Sequence, residues 1–170
     1  IIHDHLYRAP QDAPVELNTY LRTLLAAIFK AHAAVGSYSW TLEGDTIHLP
    51  EAACSDLGFI VSELTINAIK YGMVPHERKA PGDGPDGVTI VLASLVSGWS
   101  LDFRNTGNVF PEHIDPLKAD SFGMELVRTY TRSLGGRLTF SRQPATTLHF
   151  EFYHRTGIVD VPRRSEERRV

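Results

Sequence analysis

Apolar residues follow two rhythms along this chain. From Val15 to about Ala34, Leu17, Tyr20, Leu21, Leu24, Leu25, Ile28 and Phe29 recur every three or four positions, the spacing of an amphipathic helix. Pro14 suits its first turn, where an N–H has no helical partner to lose. Tyr38, Trp40 and Leu42, then Ile47 and Leu49, alternate instead with other residues. The Glu43-Gly44-Asp45 stretch between the two runs predicts a β-hairpin. A second helix is expected from about Glu51 to Tyr71. Three prolines and three glycines between Pro75 and Gly87 mark a loop. Alternation returns in Val88, Ile90 and Leu92 and in Trp99, Leu101 and Phe103, with Ser97-Gly98 as the turn of another hairpin. A loop from Asn105 to Ser121 leads to a third helix through Met124, Leu126, Val127, Tyr130 and Leu134, stopped by Gly135-Gly136. Arg137 to Arg142 and Thr147 to Tyr153 form the last hairpin, with Leu148, Phe150 and Phe152 on one face and Thr147, His149 and Glu151 on the other.

The resulting order, α-β-β-α-β-β-α-β-β, predicts an α+β fold. Strands joined by hairpins, with helices between them, favour a mixed, mostly antiparallel sheet covered on one face, a two-layer α/β sandwich. A chain of 170 residues fits one domain and can bury a core without covalent staples. Cys54 is the single cysteine, so no internal disulfide forms, and no zinc-type spacing is present. The net charge of -3, with both signs interspersed, gives no general attraction to nucleic acid or to an anionic membrane. No run of about 18 apolar residues is visible. A cytoplasmic setting is the expectation, with no direct membrane contact by this chain. It opens on Ile1-Ile2-His3, as a piece of a longer polypeptide would. The arginine-rich stretch from Arg163 to Arg169 lacks apolar periodicity and reads as a solvated or disordered tail.

Candidate chemistry sits in the second helix. Glu63, Asn67 and Lys70 are four and three apart in Ser62-Glu63-Leu64-Thr65-Ile66-Asn67-Ala68-Ile69-Lys70-Tyr71 and so share one helical face. A carboxylate, an amide and an ammonium in a row offer a base or metal ligand, a second oxygen for a hard cation, and a phosphate partner. The plainer alternative is a solvated stripe. Asn105-Thr106-Gly107-Asn108 comes directly after a strand, Ser121-Phe122-Gly123-Met124 opens a helix, and Ala145-Thr146-Thr147 opens the last strand. Glycine at such junctions lets the backbone approach a ligand, and a helix N-terminus attracts phosphate.

In this order the segments resemble the histidine-kinase ATPase domain, the Bergerat fold that gyrase shares. Glu63 to Tyr71 is similar to its N box, Asn105 to Pro111 to its first glycine box, Ser121 to Met124 to its second, and Ala145-Thr146 to its Gly-Thr element. Glu63 where many such kinases have asparagine, the short lid, and His3-Asp4-His5-Leu6-Tyr7 resemble the HWE and related sensor histidine kinases. The resemblance implies residues 1–14 as the end of a dimerisation and phosphotransfer hairpin with its linker, 15–155 as the catalytic domain, and 156–170 as the tail. It implies ATP and Mg²⁺ as cofactors. Asn67 would coordinate Mg²⁺, Glu63 would orient a metal-bound water or assist proton transfer, and Lys70 would pair with phosphate, with Tyr71 beside them. Asn105 and Thr146 would serve the adenine, Gly107 and Asn108 would form the first glycine box, and Ser121, Phe122, Gly123 and Met124 would meet phosphate.

The implied activity is transfer of the ATP γ-phosphate to a histidine upstream of this chain, and thence to an aspartate of a response-regulator receiver domain. A homodimer through the upstream hairpin is the implied assembly. The match has departures: Asn105 stands for the family's aspartate, Val109 for a lid glycine, and Ser121 and Ala145 for glycines. They leave room for a second reading, a degenerate module that does not bind ATP and acts as a histidine phosphotransfer protein or scaffold. A serine kinase of the anti-sigma-factor type shares the fold but lacks a dimerisation hairpin, against the His3 to Tyr7 stretch. That stretch matches the later helix of the hairpin, so His3 and His5 are not read as the phosphoacceptor.

Overall fold

A computed structural model describes residues 13–34, 36–107, 113, 115–118 and 120–154. The elements run β1 (Val15–Glu16), α1 (Leu17–Ala31), β2 (Ser39–Gly44), β3 (His48–Leu49), α2 (Glu51–Asn67), β4 (Gly87–Leu95), β5 (Gly98–Asn105), α3 (Phe122–Ser133), β6 (Gly136–Ser141) and β7 (Thr146–Tyr153). The three helices form in the predicted regions, except that Val15–Glu16 pairs with β3 as a strand, so α1 starts at Leu17 and Pro14 precedes its first turn. Their buried apolar residues include Leu17, Leu21 and Leu25 in α1, Leu57, Ile60, Val61 and Leu64 in α2, and Met124 and Val127 in α3. Two helix ends have identifiable causes. Ser121 caps α3 by accepting a hydrogen bond from the Met124 N–H at 3.3 Å, and Gly135 succeeds its last turn at φ +69°, a conformation glycine adopts without a Cβ clash.

Five strands make one sheet in the order β2-β4-β5-β7-β6. All neighbours are antiparallel except β2 and β4, so the sheet is mixed and mostly antiparallel as expected. Alternation sends Val88, Ile90, Leu92, Leu101, Phe103, Leu148, Phe150 and Phe152 into the layer beneath the helices, where each is buried. Trp99 stacks on Phe152 with ring centroids 4.5 Å apart. Side chains of this size each contribute roughly 1.5–3 kcal/mol on burial, so this layer is the main source of stability.

The first predicted hairpin does not form. β2 runs parallel to β4, pairing Ser39 with Gly87 through Gly44 with Leu92, while β3 leaves the sheet and pairs with β1. The cause is long-range. The Asp45 N–H donates to the Leu92 carbonyl, and the Asp45 carboxylate accepts from the Ser94 N–H, each at 2.8 Å. The buried Asn18 amide then accepts from the Ile47 N–H and donates to the Asp45 carbonyl, both at 3.0 Å. These bonds draw the chain across to α1 instead of back along β2.

A second correction concerns hydropathy. Glu51–Arg78 holds an 18-residue window of mean hydropathy 1.3, long and apolar enough to cross a membrane by length and composition alone, although no such stretch is expected from counting apolar runs. Half of that window is buried inside the protein. Its apolarity is that of a central helix packed against α1 on one side and α3 on the other.

Candidate functional site

α2 continues beyond Asn67 as a π-helical turn, Ala68–Gly72, so the predicted helix reaches Tyr71 with a looser last turn. Such wider turns often accompany functional sites because they re-aim the residues beyond them. Leu64, Ala68 and Ile69 face the core, while Glu63 and Asn67 are half-buried on the side toward α3.

The Glu63 and Asn67 side chains converge on the first turn of α3. A Cβ placed on Gly123 would lie 2.6 Å from Glu63 Oε2 and 3.7 Å from Asn67 Nδ2. The predicted second glycine box therefore touches the predicted N box. The N-terminus of α3 carries the positive end of the helix dipole, and Glu63 places a carboxylate beside it. Ser121, one of the departures from glycine, has a local purpose as the cap. In serving it, Ser121 takes the Met124 N–H, so that amide is not free for an anion, and the Met124 side chain is buried in the core. Ser121 itself is exposed.

At the other end, Asn105 and Thr146 face one another across β5 and β7, and both are buried. Gly107 has φ +109°, and a Cβ there would strike the Gly72 carbonyl and lie 2.7 Å from Asp86 Oδ2. Gly107 thus seats the turn after β5 against the end of the α2 extension, a close approach that only glycine permits. Lys70 is exposed one turn beyond Asn67, and Tyr71 and Phe122 are each 76% exposed. Asn108 and Val109, like the His3 to Tyr7 stretch and the tail, lie outside the described residues. Glu63, Asn67 and Gly123 thus form one cluster and Asn105 and Thr146 a second, while Gly107 joins the α2 extension.

Asp86 is the residue that the sequence reading passes over. Its carboxylate accepts from the Val74 N–H at 2.7 Å and from Lys79 Nζ at 2.7 Å, with 6% of the side chain exposed. Burial pushes this carboxyl's pKa up, but the Lys79 ammonium, the Val74 N–H and the Thr106 hydroxyl outweigh it and hold the pKa below the usual aspartate value. A signal for it exists in the sequence. Asp86 lies two residues before Val88, so the strand period puts both on the same face, yet its Pro85 and Gly87 neighbours read as a turn.

Glu63 and Asn67 supply one carboxylate oxygen pair and one amide oxygen beside a helix N-terminus. That donor set suits Mg²⁺, which keeps several waters and takes few protein ligands, sharing the rest with phosphate oxygens. Among the described residues no group of three or more histidines, cysteines and carboxylates could hold a metal alone.

No protein-family model matches the sequence. Over 139 residues the chain is 25% identical to blue-light-activated histidine kinase 2 of Erythrobacter litoralis (strain HTCC2594), a match that covers 81% of this chain and 38% of that protein. The chain thus spans well under half the length of this relative. The histidine kinase domain of the Erythrobacter litoralis EL346 blue-light-activated histidine kinase superposes with a TM-score of 0.69 at 19% identity, over 86% of this chain and 65% of that one. The ATP-binding domain of PrrB from Mycobacterium tuberculosis superposes with a TM-score of 0.60 at 18% identity, over 84% and 96% of the two chains. The chain has the α+β sandwich fold of histidine kinase ATP-binding domains and is a relative of a blue-light-activated histidine kinase.

Proposed function

We propose that this chain is the ATP-binding catalytic domain of a two-component sensor histidine kinase, acting in the cytoplasm as part of a longer protein. The observation that carries the reading is the convergence of Glu63 and Asn67 on Gly123 at the start of α3. Bound Mg²⁺-ATP would supply the transferable phosphoryl group and a cation to neutralise its charge. The protein's share of such chemistry is positioning and electrostatics. Asn67 would hold the cation through its amide oxygen. Glu63, at the helix end, would orient a water on that cation or take up a proton. The Phe122 and Gly123 N–H groups, with Lys70 from the exposed rim, would meet the phosphates. Asn105 and Thr146 would line the base end. The phosphoryl acceptors are a histidine upstream of this chain and then a receiver-domain aspartate, in a homodimer joined by the upstream hairpin.

Calorimetry with a non-hydrolysable ATP analogue and Mg²⁺ tests this. Binding by the wild type that Asn67→Ala abolishes supports the reading, and equal heats for both proteins rule out a metal role for Asn67. Asn105 in place of an aspartate favours the second reading, a module without ATP. A neutral acceptor makes a hydrogen bond roughly half as strong as a charged one, which would weaken adenine binding by about 1 kcal/mol. No binding at millimolar ATP, with phosphate still passing through the full-length protein, would decide for the phosphotransfer or scaffold role.

A further inference from the structure

We propose that Asp86, acting with Lys79, is a positioning residue of the nucleotide cleft: it ties the loop after α2 to the Asn105–Gly107 turn and so fixes the base end of the site. This rests on the nucleotide-binding reading above. Three strands of contact meet at Asp86. Its carboxylate holds the loop through Val74 N–H and Lys79 Nζ, both at 2.7 Å. Its carbonyl accepts from the Ser39 N–H at 3.0 Å, which anchors it to the start of β2. Its neighbour Gly87 donates to Thr106 Oγ1 at 2.8 Å and accepts from the Thr106 N–H at 3.0 Å, which fixes the turn after β5.

Register puts this hub in the site. Val88 pairs with Asn105, and Asn105 with Thr146. Continuing that antiparallel register by two residues sets Asp86 opposite Gly107, on the sheet face that holds Val88, Asn105 and Thr146. A Cβ on Gly107 would come 2.7 Å from Asp86 Oδ2, so carboxylate and turn are already in contact.

Stability alone does not account for the pair. Removing two charges from water offsets most of their attraction, so a buried ion pair is weak evidence of a stabilising role, while its geometry is closely fixed. The same loop has a second tether. Glu77 accepts from the Ser37 N–H at 3.0 Å and from the Ser37 hydroxyl. The hydrogen bonds of that tether run between Ser37 and Glu77 and to none of the cleft residues, so it serves as an internal control.

The test is titration of an ATP analogue and of ADP, each with Mg²⁺, into the full chain and into Asp86→Ala, Asp86→Asn, Lys79→Met and Glu77→Gln, with a thermal melt of each. Asp86→Ala and Lys79→Met are expected to weaken both nucleotides equally, on the order of ten- to a hundredfold, as displaced positioning groups do. The loss is equal because the latch serves the base and not the terminal phosphate. Asp86→Asn, which keeps an acceptor for the Val74 N–H, should recover part of the affinity, and Glu77→Gln should stay within about twofold of wild type. If Asp86→Ala does not fold, Lys79→Met and Asp86→Asn carry the comparison. Folded variants that bind as wild type would overturn the proposal, and so would a loss matched by Glu77→Gln. Wild-type protein that binds neither nucleotide overturns the function itself and the latch with it, a result distinct from equal binding by all.

Discussion

The two faces of the five-stranded sheet carry opposite chemistry on the same strands. Beneath the helices, Phe150 and Leu148 of β7 and Leu101 and Phe103 of β5 are at most 3% exposed. On the open face, the residues between them form an ionic ladder: His149 Nδ1 bonds the Asp102 carboxylate, His149 Nε2 meets Glu151 at 3.2 Å, Arg137 reaches Glu151 at 3.1 Å, and Arg104 reaches Asp102 at 2.6 Å. Polarity means different things on the two sides. On the open face it is ordinary solvation and marks no site. On the covered face the exceptions, Asp86, Asn105 and Thr146, gather at one end, beside Gly107. A buried polar group has to be matched or used, so its position is informative.

The most forceful way to break this contrast is Phe150→Ala. It should cost about 3–5 kcal/mol in urea unfolding, as truncation of a buried aromatic does. A loss below about 1 kcal/mol would show that the covered face is not the core. Gly107→Ala comes next, with about 1–3 kcal/mol of backbone strain at φ +109° and a collision with the Gly72 carbonyl. Its nucleotide affinity should fall with its melting temperature. Gly123→Ala separates the two quantities. Its Cβ would crowd only the end of the flexible Glu63 side chain, with Asn67 Nδ2 at ordinary contact distance, so stability should move by less than about 1 kcal/mol while binding of an ATP analogue weakens. A melting loss as large as that of Gly107→Ala would argue for a purely structural glycine.

The open face should respond to pH instead. Partial burial lowers the His149 pKa, but the hydrogen bonds and charges of Asp102 and Glu151 outweigh it and raise it above the ordinary 6.5. The pairing therefore contributes fully below about pH 6.5 and is lost as pH rises through the folded-state pKa. Asp102 and Glu151 have depressed pKa values, so their part fades only in acid, as pH falls below their ordinary 3.8 and 4.5. The stability gap between wild type and His149→Gln, measured in urea from mildly acidic to alkaline pH, should close with rising pH. A constant gap would mean that His149 stays uncharged. Arg137→Gln, at 64% side-chain exposure, is the smallest case and should leave the melting temperature unchanged.

Much of this was legible in the chain. The helices, two of the three hairpins and the inward residues of β4, β5 and β7 come from local periodicity, because each is decided by which side of one element meets water. Glu63, Asn67, Gly107 and Gly123 were readable as candidates from helical spacing and from glycines at element junctions, but not as neighbours. Glu63 and Gly123 are 60 positions apart in the numbering, and only the packing of α2 on α3 brings them together. The failed hairpin has the same origin. The Glu43-Gly44-Asp45 turn signal is genuine, yet Asp45 satisfies Ser94 and Leu92, and Asn18 supplies the bonds the hairpin would have made.

What the amino-acid order determined by itself is the set of elements and the face each buries, since hydrophobic period and turn chemistry act within a few residues. The direction of β2, the meeting of Glu63 with the α3 terminus and the use of Asp86 were decided only in the folded chain. Those depend on hydrogen bonds and ion pairs between distant segments, whose partners have no fixed sequence separation and form only once the core has set the distances.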